Sequence, residues 1–252
     1  MHRMVIVALG IGSTVVASSA FSQPTDAVVR VRGCSLNEGY TIQDAVQMSR
    51  GLPRDESSAN LVFIREPVVV STAFTDNYDL LLVQFYSSYA EFLARLESRR
   101  AGGDRSLPGR RPSDVMTCDP SGGTVRHVTM FPSDGFEGVP DETLMTIRFC
   151  DLEEGRTVDD VRELLAGIAD NFAARDQYVL LQLWTTQLGL DPSFREQNRR
   201  FQIAAVASSV AAMGERLDLS RTDFNALAGL PVVMGCTPRD LWRTYRTHGG
   251  NN

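Results

Sequence analysis

Polar and apolar residues alternate from Val28 to Cys34, with Val29 and Val31 on one side and Arg30 and Arg32 on the other. A period of two is the signature of a half-buried strand. The alternation returns from Leu144 to Cys150, where Met145, Ile147 and Phe149 oppose Arg148. Each strand runs into a similar opening. The first reads Cys34-Ser-Leu-Asn-Glu-Gly39-Tyr-Thr41-Ile-Gln-Asp44, the second Cys150-Asp-Leu-Glu-Glu-Gly155-Arg-Thr157-Val-Asp-Asp160. Gly39 and Gly155 mark turns. Thr41 and Thr157 stand three residues before Asp44 and Asp160, which predicts a capped helix start in both places. The period then becomes helical. Val161, Leu164, Leu165 and Ile168 form the buried stripe of a helix over Val158–Ala174, while the first helix is shorter and ends at Gly51 and Pro53.

The remaining pattern also runs in parallel. Second strands are predicted at Leu61–Val70 and Tyr178–Leu188, third strands at Tyr78–Tyr86 and Phe201–Ala207. Helices follow at Tyr89–Arg100 and Val210–Leu217, then closing strands at His127–Phe131 and Leu241–Thr247. Arg99–Pro112 reads as a flexible loop and Ser133–Glu142 as a linker. The order in each half is β-α-β-β-α-β, the ferredoxin-like split βαβ plan. The expected fold is therefore α+β: two tandem ferredoxin-like repeats, 24–132 and 143–252, packed sheet to sheet as an internal pseudo-dimer.

An apolar run, Met4–Val16, follows Arg3 and precedes Ser18 and Ala20, small residues at signal-peptidase spacing. This predicts a signal peptide over 1–23. The run is too short to span a bilayer as a helix. The protein is thus expected in the periplasm or outside the cell, where disulfides persist. Four cysteines allow three connectivities. The duplication selects Cys34–Cys118 and Cys150–Cys236, because both second cysteines begin Cys-x-Pro and follow the first at nearly equal distances. The topology agrees, since the first and last strands of a ferredoxin-like unit are neighbours. No C-x₂-C spacing points to a metal.

Formal net charge is −6, so the chain carries no basic footprint for nucleic acid. All 25 basic residues are arginine. The absence of lysine excludes Schiff-base chemistry, covalent pyridoxal phosphate and a Walker lysine. No G-x-G-x-x-G, G-x-S-x-G or H-E-x-x-H occurs, and only His127 and His248 lie beyond the signal segment. Glu153-Glu154 and Asp159-Asp160 suit a helix N-terminus without any catalytic role. The binding candidates are Arg32 and Arg148, which are repeat-equivalent, with Gln182 and Trp184. The arginines point away from the apolar strand face, so in a face-to-face pair of sheets they line the space between. Buried guanidinium groups need acids or an anionic ligand. Glu66 and Asp79 are the nearest acids in the pattern.

The repeated C-x-L-x-E-G-x-T-x₂-D opening resembles uncharacterised exported bacterial proteins built of ferredoxin-like repeats. The plan over Val28–His248 is similar to the dimeric α/β-barrel superfamily, which includes antibiotic-biosynthesis-type monooxygenases. That resemblance implies cofactor-free oxygenases, haem-handling proteins and binding proteins as relatives, and fold alone does not choose among them. Disulfides and scarce histidine set this chain apart from the haem and oxygenase members. The reading is an exported, monomeric small-ligand-binding protein for an anionic or aromatic ligand, with no cofactor, nucleic acid or membrane attachment after signal removal. The alternatives are a cofactor-independent monooxygenase-like enzyme and a structural module of the envelope.

Overall fold

The computed structural model describes residues 26–53, 58–70, 76–101, 111–119, 123–188, 199–222 and 230–249. The signal segment expected at 1–23 and residues 102–110 of the expected loop lie outside them. The first half contains β1 (Asp26–Leu36), α1 (Ile42–Gly51), β2 (Leu61–Val69), β3 (Leu80–Tyr86) and α2 (Tyr89–Ala101). A single turn α3 (Pro112–Val115), β4 (Met116–Cys118) and β5 (Thr124–Pro132) follow. The second half contains β6 (Glu142–Leu152), α4 (Val158–Ala173), β7 (Val179–Leu188), β8 (Arg200–Ala207), α5 (Val210–Thr222), β9 (Met234–Cys236) and β10 (Asp240–His248). Arg99, expected in a loop, belongs to the last turn of α2.

The helix starts form for the expected reason. Thr41 Oγ1 accepts from the Asp44 backbone N–H at 3.3 Å, and Asp44 returns a carboxylate to the Thr41 N–H at 2.9 Å. Thr157 and Asp160 repeat this at 3.3 and 2.7 Å. Both boxes satisfy backbone donors that the first helical turn leaves open. Gly39 and Gly155 precede them with φ of 82° and 75°, a conformation that favours glycine.

Eight long strands close an antiparallel barrel in the order β1-β3-β2-β10-β6-β8-β7-β5 and back to β1. Strands β2-β3-β1-β5 and β7-β8-β6-β10 each keep the ferredoxin-like order. The two sets do not stack as separate sheets. Their outer strands hydrogen-bond, β5 to β7 and β10 to β2, so the wall has no open edge between them. Short β4 pairs with β1 and short β9 with β6. Those pairings put Cys34 opposite Cys118 and Cys150 opposite Cys236, and both disulfides form as expected.

Both faces of the wall are apolar. Inside, Val29, Phe63, Phe85, Val128, Met145, Leu180, Trp184, Val206 and Trp242 form one cluster. Outside, α1 packs Ala45, Val46 and Met48 on Cys34, Ile64 and Leu80, and α2 packs Phe92 on Val28 and Tyr86. Helix α4 lays the expected stripe, Val161, Leu164, Leu165 and Ile168, on Leu181, Leu183 and Ile203. This corrects the expected direction of the arginines. Ala27 and Val29 point into the barrel. Strand alternation therefore sends Val28, Arg30, Arg32 and Cys34 outward, under the helices. Met145 and Ile147 point inward likewise, which puts Arg148 outside with Cys150.

Candidate functional site

A pocket of ≈ 430 Å³ lies on the outer side of the barrel wall. Arg32, Val62, Leu82 and Gln84 from β1, β2 and β3 form its floor. The end of α1 contributes Ser49 and Leu52, α2 contributes Arg99, and Met116 and Cys118 of β4 close another side. His248, from the end of β10, reaches the same space. A volume in this range, with an apolar floor at Val62 and Leu82 and polar side chains around it, suits a small-molecule ligand.

Its two guanidinium groups, on Arg32 and Arg99, are cationic. Arg32 Nε is buried with no hydrogen-bond partner. Burial pushes the Arg32 guanidinium down to about 10, with further lowering by the charges of Arg30 and Arg99. Arg30 is lowered by burial as well. Arg99 is fixed in place by a 3.1 Å bond from its Nη2 to the Tyr86 hydroxyl. The arginine stems pass close to Gly123, where an added Cβ would come within 3.3 Å of Arg32 Cγ. No carboxylate lines the pocket among the described residues. Glu66 and Asp79 do not serve Arg32 or Arg148. Glu66 accepts from the Tyr245 hydroxyl at 2.8 Å, and Asp79 accepts from the Leu36 backbone N–H at 2.7 Å. Gln84 adds one acceptor: its Oε1 is buried and without a partner.

Arg148 lies on the outer side of the second half. Burial lowers its pKa to about 10, and Arg239 lowers it further. Arg216 of α5 joins this group and is lowered to about 9, first by burial, then by Arg239 and Arg148. Gln182 and Trp184 sit inside the barrel, where the indole N–H donates to Gln182 Oε1 at 3.0 Å. The four residues proposed from sequence thus fall in three places: Arg32 in the outer pocket, Arg148 in the second arginine group, Gln182 and Trp184 in the interior. Arg99 and Gln84 were missed as pocket residues. Arg65 and Arg126 were missed inside the barrel, although Leu61, Phe63 and Arg65 fall on one strand stripe and a charge there breaks the pattern.

No family model and no curated protein matches the chain. Solved structures share its architecture. A candidate monooxygenase from Lactobacillus acidophilus NCFM superposes with a TM-score of 0.50 at 8% identity, covering 88% of this chain and 94% of that one. An anthrone oxidase-like protein gives 0.46 at 13% identity over 89% and 94%. A candidate monooxygenase from Fusobacterium nucleatum gives 0.47 at 11% identity over 91% and 98%. At these identities the likeness is one of fold. The class is α+β with a closed eight-stranded antiparallel barrel.

Proposed function

We propose that this protein binds a small anionic ligand in the outer pocket of the first half, with Arg32 as its main anchor. One observation carries the reading: half-buried Arg32, whose Nε is buried and unsatisfied, lines a ≈ 430 Å³ pocket that holds a second arginine and no described carboxylate. An anion relieves both the repulsion and the lost hydration. The apolar floor, Val62 and Leu82, suits an organic body behind the charge. Arg148, with Arg216, is the corresponding cationic position of the second half.

The surrounding organisation is part of the same proposal. Residues 24–132 and 143–252 are two ferredoxin-like units of an internal pseudo-dimer, joined by 133–142, after removal of 1–23. The matching element order and the matching disulfides support the two units, and the disulfides with the N-terminal apolar run support a periplasmic or secreted location. Among the described residues no helix is long and apolar enough to cross a membrane.

Native mass spectrometry of the chain purified from its own host tests the binding role. The expected result is a retained small mass that is absent from Arg32→Met, with both proteins melting within a few degrees of each other. A bare wild-type protein whose melting does not respond to a panel of organic carboxylates and phosphates would end the reading. His248 in the same pocket favours one second reading, a cofactor-independent oxygenase in which the imidazole takes a proton from the bound ligand. Oxygen uptake that follows ligand addition and disappears in His248→Gln would select it.

A further inference from the structure

The barrel interior is built from apolar side chains, and a charge placed there needs a partner. Arg65 is nevertheless inside. It follows Leu61 and Phe63 on the inward stripe of β2 and is only 3% exposed. Its Nε makes no hydrogen bond. Its guanidinium carbon stands 4.9 Å from the centroid of the Trp184 ring. A ring face attracts a cation but does not neutralise it. The charged group that acts on Arg65 is another cation, Arg126 of β5. Arg126 is bonded to Thr124 Oγ1, not to an acid.

Arg65 borders a cavity of ≈ 20 Å³. Gln182 and Thr244 are the other polar side chains on its wall, and the rest, including Leu61, Met130 and Val206, are apolar. The Trp184 N–H occupies Gln182 Oε1 at 3.0 Å. That leaves the amide NH₂ as the end that donates to a further group. The wall therefore offers a guanidinium, an amide NH₂ and a hydroxyl. It is a donor set with a positive charge and no negative one.

We propose that this cavity binds one monatomic anion of the halide class as the counter-ion of Arg65. Its volume admits a single water-sized sphere, which leaves out carboxylate, phosphate and sulfate. A water would take up hydrogen bonds and leave the charge, with the repulsion from Arg126, uncompensated. An ion held by the folded chain and not by the unfolded one makes stability depend on halide concentration. This site is separate from the outer pocket, and its outcome does not depend on the ligand there.

Two measurements on the full chain test it. Crystals grown with bromide should show an anomalous peak within hydrogen-bonding reach of the Arg65 guanidinium and Gln182 Nε2. Melting is then followed as chloride replaces gluconate at fixed ionic strength and pH. Above saturation each tenfold rise in chloride should raise the wild-type Tm by about 3–5 °C. Arg65→Met should lose that response, and Gln182→Leu should weaken it if the first variant does not fold. A non-anomalous, water-like peak in the cavity would overturn the proposal. So would a chloride response that persists unchanged in the variants.

Discussion

Arg216 Nη2 donates to Thr146 Oγ1 at 2.7 Å, which ties α5 to the outer face of β6. The same nitrogen lies 3.2 Å from Met213 Sδ, while Nε has no partner. The guanidinium is thus held by neutral groups beside two other cations, Arg148 and Arg239. Removing a buried, poorly compensated charge is usually neutral or favourable, whereas removing its acceptor is not. Arg216→Met should change unfolding free energy by between zero and a gain of roughly 1–4 kcal/mol. Thr146→Val should lose roughly 1–3 kcal/mol. Urea titrations of both variants decide the matter. A loss of several kcal/mol in Arg216→Met would mean that the arginine group holds an anion or an acid.

Much of this was legible, and the main failure has one cause. Element order followed from periodicity, and the caps at Thr41 and Thr157 followed from spacing. The bridge Cys34–Cys118 followed from the duplication. The facing of Arg32 and Arg148 came out reversed because the barrel wall is apolar on both sides. Val29 and Val31 mark an apolar face, but alternation does not say whether helices or the opposite wall cover it. The closing pairs β5–β7 and β10–β2 join distant segments with no local signature. Arg65 was the available clue to a buried interior, since it follows Leu61 and Phe63 at a spacing of two.

Acid should weaken the protein partly through Glu91. This carboxylate takes the Ser87 N–H and hydroxyl at 2.6 Å each, pairs with Arg95 and accepts from Asn60 Nδ2 at 3.0 Å. Burial alone would raise its pKa, but the Ser87 bonds and Arg95 outweigh that and hold it at about 2, against an ordinary 4.5. The folded value lies below the unfolded one. The stabilisation is therefore complete above pH 4.5 and drains away as pH falls towards 2. Urea midpoints between pH 7 and 2.5 should fall in the wild type and fall less in Glu91→Gln. Parallel curves for the two proteins would rule out Glu91 as a contributor.

Two glycines constrain the chain for different reasons, and one pair of substitutions separates them. Gly39 has φ of 82° with nothing within 4 Å of an added Cβ, so its requirement is conformational. Asparagine tolerates that region better than other residues, and Gly39→Asn should cost little. Gly33 on β1 has a requirement of space. An added Cβ would lie 2.5 Å from Cγ and Cδ1 of Tyr78, at the rigid base of the ring. The Tyr78 hydroxyl bonds Asp119 Oδ2 at 3.3 Å, and the Asp119 N–H donates to Gly33 O at 3.1 Å, so ring, carboxylate and strand form one closed loop of contacts. Burial, then the Asp119 charge and hydrogen bond, raise the Tyr78 pKa. Gly33→Ala must push the ring outward. It should cost roughly 1–3 kcal/mol as an overpacked site and bring the phenol back towards its ordinary 10. Urea unfolding and NMR titration of labelled tyrosine read the two effects. Equal stability losses in Gly39→Asn and Gly33→Ala, with Tyr78 unmoved, would show that space at Gly33 is not what matters.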